Sequence, residues 1–289
     1  MVITGATAGI GRTAALALGR LGAELLLVSR DRAAGTALAR RVADLSGGSS
    51  TGFIEADLSS LPRVRAAAEQ IRERWPAIDV LINNAGARFD AHAATPEGTE
   101  RTFATNHLGH FLLTGLLFDR LAAAPAARII TVSSSAAAQA RNDGRWQYTA
   151  ADFDRKQAYA KSKLANLLFA FELARRLQGT TVTSLAVDPG IVATRFARNN
   201  GLLPWLKHLI YHGLKGELVR PAQGADTIVY LASVGALPPD AAGGYFLRRQ
   251  QIRACPAAYD AVARDGLWRL SVALTGIDPA AGRGAGSTN

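Results

Sequence analysis

The order of apolar runs along these 289 residues predicts an α/β fold: one doubly wound parallel sheet of about seven strands, with helices on both faces. Three observations lead there. Short runs of β-type residues alternate with longer segments of helical period. No Pro/Ser-rich linker breaks that alternation. The glycine, asparagine and serine motifs stand directly after strands, where such a sheet opens a crevice at its carboxyl edge.

Strands are expected at Val2–Thr4, Glu24–Ser29, Gly52–Ala56, Val80–Asn83, Arg128–Ser133, Val182–Val187 and Tyr245–Leu247, each rich in Val, Ile, Leu or aromatic residues. Only Met1 to Thr4 precede the first glycine turn, against a usual strand of about five or six residues. Either that strand is short, or the chain begins inside a longer product. Helical periods run over 10–21, 32–45, 60–74, 97–123, 155–178, 222–233 and 256–274. Residues 1–278 therefore read as a single domain, with a helical lid over 195–220 and a small, polar, disordered tail at 279–289.

Composition narrows the class. Apolar residues make up 48% and charged residues 19%, with no run approaching the roughly eighteen apolar residues of a membrane span, so a soluble globular protein is expected. The lone Cys255 forms no internal disulfide and no secretory leader precedes the first motif, which points to the cytoplasm. The net charge of +10 comes from 33 Lys+Arg against 23 Asp+Glu, mostly Arg and dispersed, with no basic run longer than two. A nucleic-acid binder would cluster such charge, so no nucleic-acid partner is expected.

Gly5, Gly9 and Gly11 punctuate TGATAGIG between the first strand and first helix. The spacing is not GxGxxG. The turn still offers close backbone approach and free N–H groups at a helix start, through Gly5, Thr7, Gly9, Ile10 and Gly11, as a pyrophosphate requires. Ser29-Arg30-Asp31 ends the second strand, where an adenosine ribose is tested. Arg30 suits a 2′-phosphate, so NADP(H) is favoured over NAD(H), with Asp31 beside it arguing the other way. Asp57 and Leu58 suit the adenine, although Asp57 is equally a helix cap. Asn83-Asn84-Ala85-Gly86 ends the fourth strand, with Asn83, Ala85 and Gly86 assigned to the cofactor; alone it reads as a strand terminator.

Tyr159 and Lys163 stand four apart in AYAKSKLANLLFAFELARRL and project from one helix face. An adjacent ammonium favours phenolate, which lets a phenol of pKa near 10 exchange a proton with a carbonyl oxygen or an alcohol. Ser133-Ser134-Ser135 ends the fifth strand and offers a hydroxyl to orient that oxygen, and Asn106 lies between Thr105 and His107. Each piece has a bland reading as a strand end or a helix surface; their joint order does not.

TGATAGIG, NNAG, Asn106, the Ser run, Tyr159-Ala-Lys-Ser-Lys163 and Pro189-Gly190 followed by Thr194 resemble the short-chain dehydrogenase/reductase family over nearly the whole chain. The SRD after strand two, DLSSL at 57–61, the 25-residue step from Ser134 to Tyr159, SKLANLLF at 162–169 and LWRLSVALTG at 267–276 resemble its retinol dehydrogenase-like branch. The resemblance implies a Rossmann-type fold and a catalytic tetrad of Asn106, Ser134, Tyr159 and Lys163. Tyr159 would be the general acid/base and Ser134 the oxygen positioner, with Ser135 in reserve. Lys163 would hold the ribose and depress the Tyr pKa, and Asn106 would hold a water through its backbone. Pro189, Gly190, Val192 and Thr194 would receive the nicotinamide. The five His form no convincing ligand set, and no metal is implied.

Between Phe196 and Arg220, apolar residues recur at helical spacing and read as a lid over an apolar substrate, as a packed helix, or as an interfacial helix touching a membrane peripherally. Trp146 and Tyr148 are candidates for another substrate wall. The leading function is an NADP(H)-dependent oxidoreductase acting on a small hydrophobic carbonyl or alcohol. The alternatives are a tailoring enzyme that uses transient hydride transfer for epimerisation or cyclisation, and a non-catalytic NADP-binding regulator. Apolar outward faces on 97–123 and 155–178 would permit pairing into a dimer or tetramer.

Overall fold

The computed structural model describes residues 1–192 and 218–281. Its main sheet has eight strands, in the order β10-β9-β6-β5-β4-β1-β2-β3. They are β1 (Val2–Thr4), β2 (Leu25–Ser29), β3 (Thr51–Glu55), β4 (Val80–Asn83), β5 (Ala127–Val132), β6 (Val182–Val187), β9 (Tyr245–Leu247) and β10 (Gln250–Ile252). All neighbours are parallel except the β9–β10 hairpin. A two-residue pair, β7 (Ile191–Val192) with β8 (Leu218–Val219), stands apart. From β1 the chain winds first through β2 and β3, then returns to lay β4, β5 and β6 on the other side. Strand order thus reverses between β1 and β4, and a crevice opens there.

Three residues suffice for the central strand because both edges are paired: Val2 registers with Leu26 and Leu81, and Ile3 with Leu27 and Ile82. Side chains alternate between faces with period two. Val2, Leu26 and Val28 enter one core, under α3 (Leu61–Arg74) and α5 (Gly109–Leu116). Ile3, Leu25 and Leu27 enter the other, under α1 (Gly9–Arg20), α2 (Arg32–Leu45) and α8 (Pro221–Ser233).

Aspartates supply acceptors to the free N–H groups at three helix starts. Asp31 caps α2, Asp154 caps α7 (Arg155–Arg176) and Asp260 caps α9 (Ala261–Thr275). The helix expected over 97–123 is instead segmented. Buried Glu100 accepts from the N–H groups of Thr102 and Phe103, which delays the start to α4 (Arg101–Phe103). One π-helical turn, Ala104–Leu108, then leads into α5, and a break at Leu117 precedes α6 (Phe118–Ala122).

Two further expectations change. Outward faces on 97–123 and 155–178 were expected to be open for pairing, yet α7 is buried along nearly its whole length. α9 lies against it: Trp268 stacks on Phe169 at 6.1 Å and meets Phe111 edge-on at 5.1 Å. Glu172, only 4% exposed, accepts from Arg175 and Arg176 and faces Arg264 of α9 at 3.9 Å, which pins the two helices together. Burial raises its carboxyl pKa, but the arginine hydrogen bonds outweigh that and hold it below the ordinary range. Residues 279–281 were expected to belong to a disordered tail, and they do not. They are ordered: Asp278 accepts from the N–H of Ala280, and Pro279 packs beside Gly115; the rest of the expected tail, 282–289, lies outside the described residues.

Candidate active site

A cleft of about 1250 Å³ runs along the carboxyl edge of the sheet from β3 past β1 and β4 to β5 and β6. At its centre the chain makes two close turns. Gly5 has φ +65, and a Cβ there would sit 2.7 Å from the Ala85 Cα, so only glycine lets the β1 turn and the β4 turn touch. The Thr4 hydroxyl accepts from the N–H groups of Asn84 and Ala85, and Asn84 Nδ2 donates to the Thr4 carbonyl at 2.8 Å.

The same hydroxyl meets His110 Nε2 at 3.0 Å, while His110 Nδ1 lies 3.1 Å from the Asn106 carbonyl. Burial pushes the His110 pKa down to about 3, so the ring is neutral. A carbonyl can only accept; Nδ1 therefore carries the hydrogen, and Nε2 accepts from Thr4.

The adenosine end fits a dinucleotide. Ala8 precedes α1 without a capping side chain, and no acid stands in the first turn, so the N–H groups of this helix start face the cleft with no side-chain acceptor among the described residues. Ser29 is buried and its hydroxyl has no partner among the described residues, an orphan beside exposed Arg30. Asp31, the residue that argued for NAD(H), spends one carboxylate oxygen on the Ala34 N–H at 2.9 Å. Asp57 accepts from the N–H and hydroxyl of Ser59, so it shapes the turn before α3 and also lines the cleft beside Leu58.

At the opposite end Tyr159, Ser134 and Lys163 converge. Ser134 stands beside the Tyr159 phenol and lowers its pKa, whereas Ser135 is exposed. Ser134 Oγ also accepts from the Ala136 N–H, and Ser133 is withdrawn, its hydroxyl donating to the Lys163 carbonyl at 2.7 Å. Lys163 Nζ donates to the Val132 carbonyl at 3.1 Å and lies 5.9 Å from the Tyr159 ring centroid.

The expected depression of the phenol is not what the surroundings produce. Desolvation pushes Tyr159 up to about 12, against the pull of Ser134 and the positive charge of Arg88. Lys163 is itself pushed down to about 8 by burial, with Asp188 opposing. Tyr159 in the ligand-free protein is thus a firmly protonated donor.

Of the remaining expected residues, Gly5, Thr7, Gly9, Ile10, Gly11, Ala85, Gly86, Pro189, Gly190 and Val192 all line the cleft. Thr194 and most of the 195–220 lid lie outside the described residues. Asn83 does not line the cleft: as the last residue of β4 it points beneath the sheet, where Nδ2 donates to Thr114 at 3.0 Å, and the cleft belongs to Asn84.

Asn106 is set behind the wall. Its side chain accepts from the Ala87 N–H, donates to the Ala87 carbonyl and donates to Ser162, whose hydroxyl donates to the Tyr159 carbonyl. Trp146 and Tyr148 do not line the cleft either. Trp146 is buried against α7, and Tyr148 lies under the Lys161 ammonium, which bonds Asp143 at 2.5 Å. Their place is to anchor the long segment before Tyr159.

Sequence reasoning missed Arg88, Gln139 and Lys156, all lining the cleft, and Asp188. Asp188 accepts from the Gly190 N–H at 2.8 Å and from the Tyr245 hydroxyl at 3.0 Å, which fixes the turn after β6. The strand-end Asp-Pro-Gly was its signal.

Comparison with known proteins agrees with this geometry. The family model described as short chain dehydrogenase matches residues 1–202. Retinol dehydrogenase 14 of Mus musculus is 36% identical, over 96% of this chain and 86% of that protein. A Streptomyces sp. (strain C5) protein provisionally named a daunorubicin C-13 ketoreductase is 38% identical, over 96% and 92%. A crystal structure of an uncharacterised Mycobacterium paratuberculosis protein superposes with a TM-score of 0.73 at 34% identity, over 96% and 93%. A Pseudomonas aeruginosa RhlG/NADP active-site complex superposes with a TM-score of 0.66 at 26% identity, over 85% and 93%. The chain belongs to the short-chain dehydrogenase/reductase family of oxidoreductases, in its retinol dehydrogenase-like branch.

Proposed function

We propose that this protein is an NADP(H)-dependent oxidoreductase that transfers a hydride between nicotinamide and a hydrophobic carbonyl or alcohol, with Tyr159 as general acid/base. The observation that carries the reading is one cleft lined at one end by the start of α1, Ser29 and Arg30, and at the other by Tyr159, Ser134 and Lys163. When bound, the cofactor supplies or accepts the hydride.

The protein's part is binding and proton handling. Gly9, Ile10 and Gly11 present N–H groups to a pyrophosphate, and Arg30 with the orphaned Ser29 hydroxyl receives the 2′-phosphate. Pro189, Gly190 and Val192 flank the nicotinamide, on a turn that Asp188 holds. Ser134 orients the substrate oxygen while Tyr159 gives it a proton during reduction, or takes one during oxidation. Lys163, buried under Tyr159 and held by the Val132 carbonyl, binds the ribose as a cation. Asn106 acts as a positioning residue: it ties the turn after β4 to α7 beneath Tyr159. The regulator alternative leaves the grouping of Tyr159, Ser134 and Lys163 in the cleft without a use.

The test is consumption of NADPH against a panel of apolar aldehydes and ketones, with alcohol quantified. One alcohol formed per NADPH oxidised supports the reading; isomerised product without net consumption supports the epimerase or cyclase alternative. The pH profile adds a sign. kcat/KM for NADPH reports the free protein. It should fall as pH rises through about 8, where Lys163 loses its proton, while Tyr159 at about 12 stays protonated. A flat profile to about pH 10 would contradict the role given to Lys163.

A further inference from the structure

Two buried histidines stand three residues apart after β4, and they face different neighbours. His107 turns away from the cleft: its Nε2 lies 2.8 Å from the Ser271 hydroxyl of α9, and its ring sits among Phe103, Phe111 and Phe169. His110, the second residue of α5 and fully buried, lies behind the cleft wall and joins two parts of it. Its Nε2 stands 3.0 Å from the Thr4 hydroxyl, and its Nδ1 stands 3.1 Å from the Asn106 carbonyl.

On the Thr4 side, the ring decides where a hydroxyl aims. That hydroxyl has one hydrogen and two lone pairs. With the hydrogen given to His110, the lone pairs receive the N–H groups of Asn84 and Ala85 at 2.9 and 3.0 Å, which holds the turn after β4 against the Gly5 turn where both line the cleft. The hydroxyl's other outlet is the Ile82 carbonyl, at 3.3 Å. Turned there, it swings its lone pairs off those two N–H groups.

On the Asn106 side, the ring holds a helix that is out of step. The Gly109 N–H bonds back five residues to Ala104, the mark of a π turn, a geometry found mostly at functional sites. His110 donates to the Asn106 carbonyl within that turn. The Asn106 side chain grips Ala87 at both its N–H and its carbonyl and donates to Ser162, which donates to the Tyr159 carbonyl. The run of bonds thus passes from Asn84 and Ala85 through Thr4, His110, Asn106 and Ser162 to Tyr159. Such a bridge needs one nitrogen that donates and one that accepts, and burial keeps the ring neutral and able to do both.

We propose that His110 is a positioning residue for the reaction: through Thr4 it sets the two cofactor turns, and through Asn106 it sets the helix that carries Tyr159. This adds a residue to the oxidoreductase reading and rests on it.

The test uses two amides, each standing in for one ring nitrogen. In His110→Asn the amide sits where Nδ1 sat and still donates to Asn106, but nothing reaches Thr4. In His110→Gln the amide oxygen reaches Thr4 and the donor to Asn106 is lost. His110→Asn should weaken NADPH by about three- to tenfold, the worth of one hydrogen bond, with a smaller fall in kcat. His110→Gln should do the reverse. Thr4→Val should weaken NADPH as His110→Asn does, Thr4→Ser should restore it, and the double variant Thr4→Val/His110→Asn should bind no more weakly than either single one. NADPH affinity is read by fluorescence titration and kcat on an apolar aldehyde that the protein reduces, with Tm measured for each variant.

Equal falls in kcat and NADPH affinity in both His110 variants, tracking Tm, would reduce the residue to packing and overturn the proposal; so would no change in either quantity. A check that needs no turnover is 15N NMR of histidine-labelled, ligand-free wild type, with the His110 signals identified by their absence from the variants. The expected ring carries its hydrogen on Nδ1 and has a bare Nε2; a hydrogen on Nε2 overturns the bridge. A wild type that binds no NADPH contradicts the oxidoreductase reading, whereas NADPH binding without the split between the two variants contradicts only this inference.

Discussion

Tyr159→Phe is expected to lower kcat by about two to four orders of magnitude, the usual worth of a positioned general acid. The substitution removes one oxygen and keeps the ring, so the packing around it persists. What is lost is the hydroxyl that stands beside Ser134 and that burial holds protonated, with a pKa of about 12. Without it the developing alkoxide must take its proton from water. Cofactor contacts along α1, Ser29 and Arg30 are remote from the change, so NADPH affinity, measured by fluorescence titration, should stay close to wild type. Unchanged turnover would remove Tyr159 from the chemistry; a collapse of NADPH affinity of the same size would mean that the residue supports binding instead.

The second large effect concerns the other end of the cleft. Arg30→Asp should weaken NADPH by about 10- to 100-fold, the worth of a charge-assisted hydrogen bond to the 2′-phosphate, and should improve NADH relative to it. Arg30 is exposed, so the fold should tolerate the exchange. One carboxylate oxygen of the neighbouring Asp31 is engaged by the Ala34 N–H. The check is the ratio of kcat/KM for NADPH to that for NADH; an unchanged ratio would mean that the 2′-phosphate is read elsewhere or not at all.

Much of this architecture is legible in the sequence because local signals agree with the tertiary result. The glycine turn after Thr4, the Asp31 cap and the apolar strands point the same way as the sheet that contains them. β10 was not legible. Its hairpin turns on Arg248 and Arg249 at φ 50 and 63, where Asn-Gly would be the usual sign, and the turn is held from outside by Asp226 and Thr227. The break-up of 97–123 was hidden for a similar reason: Glu100 is a cap only because it is buried beside Thr102.

In the site, motif order located Tyr159, Ser134 and Lys163, but strand alternation sent Asn83 into the core and left Asn84 in the cleft. Spacing showed that Lys163 shares a face with Tyr159. Only the packed structure shows that desolvation governs both pKa values. Arg88 carried no motif, and its place follows from Asn106 gripping Ala87.

The most direct test of hydride chemistry in this cleft is isotope transfer. NADPH deuterated stereospecifically at nicotinamide C4, on each face in turn, is incubated with the protein and an apolar aldehyde that it reduces, and the alcohol is analysed by mass spectrometry. The account predicts one deuterium on the carbinol carbon from one labelled face and none from the other. Alcohol that carries no deuterium from either face would contradict it.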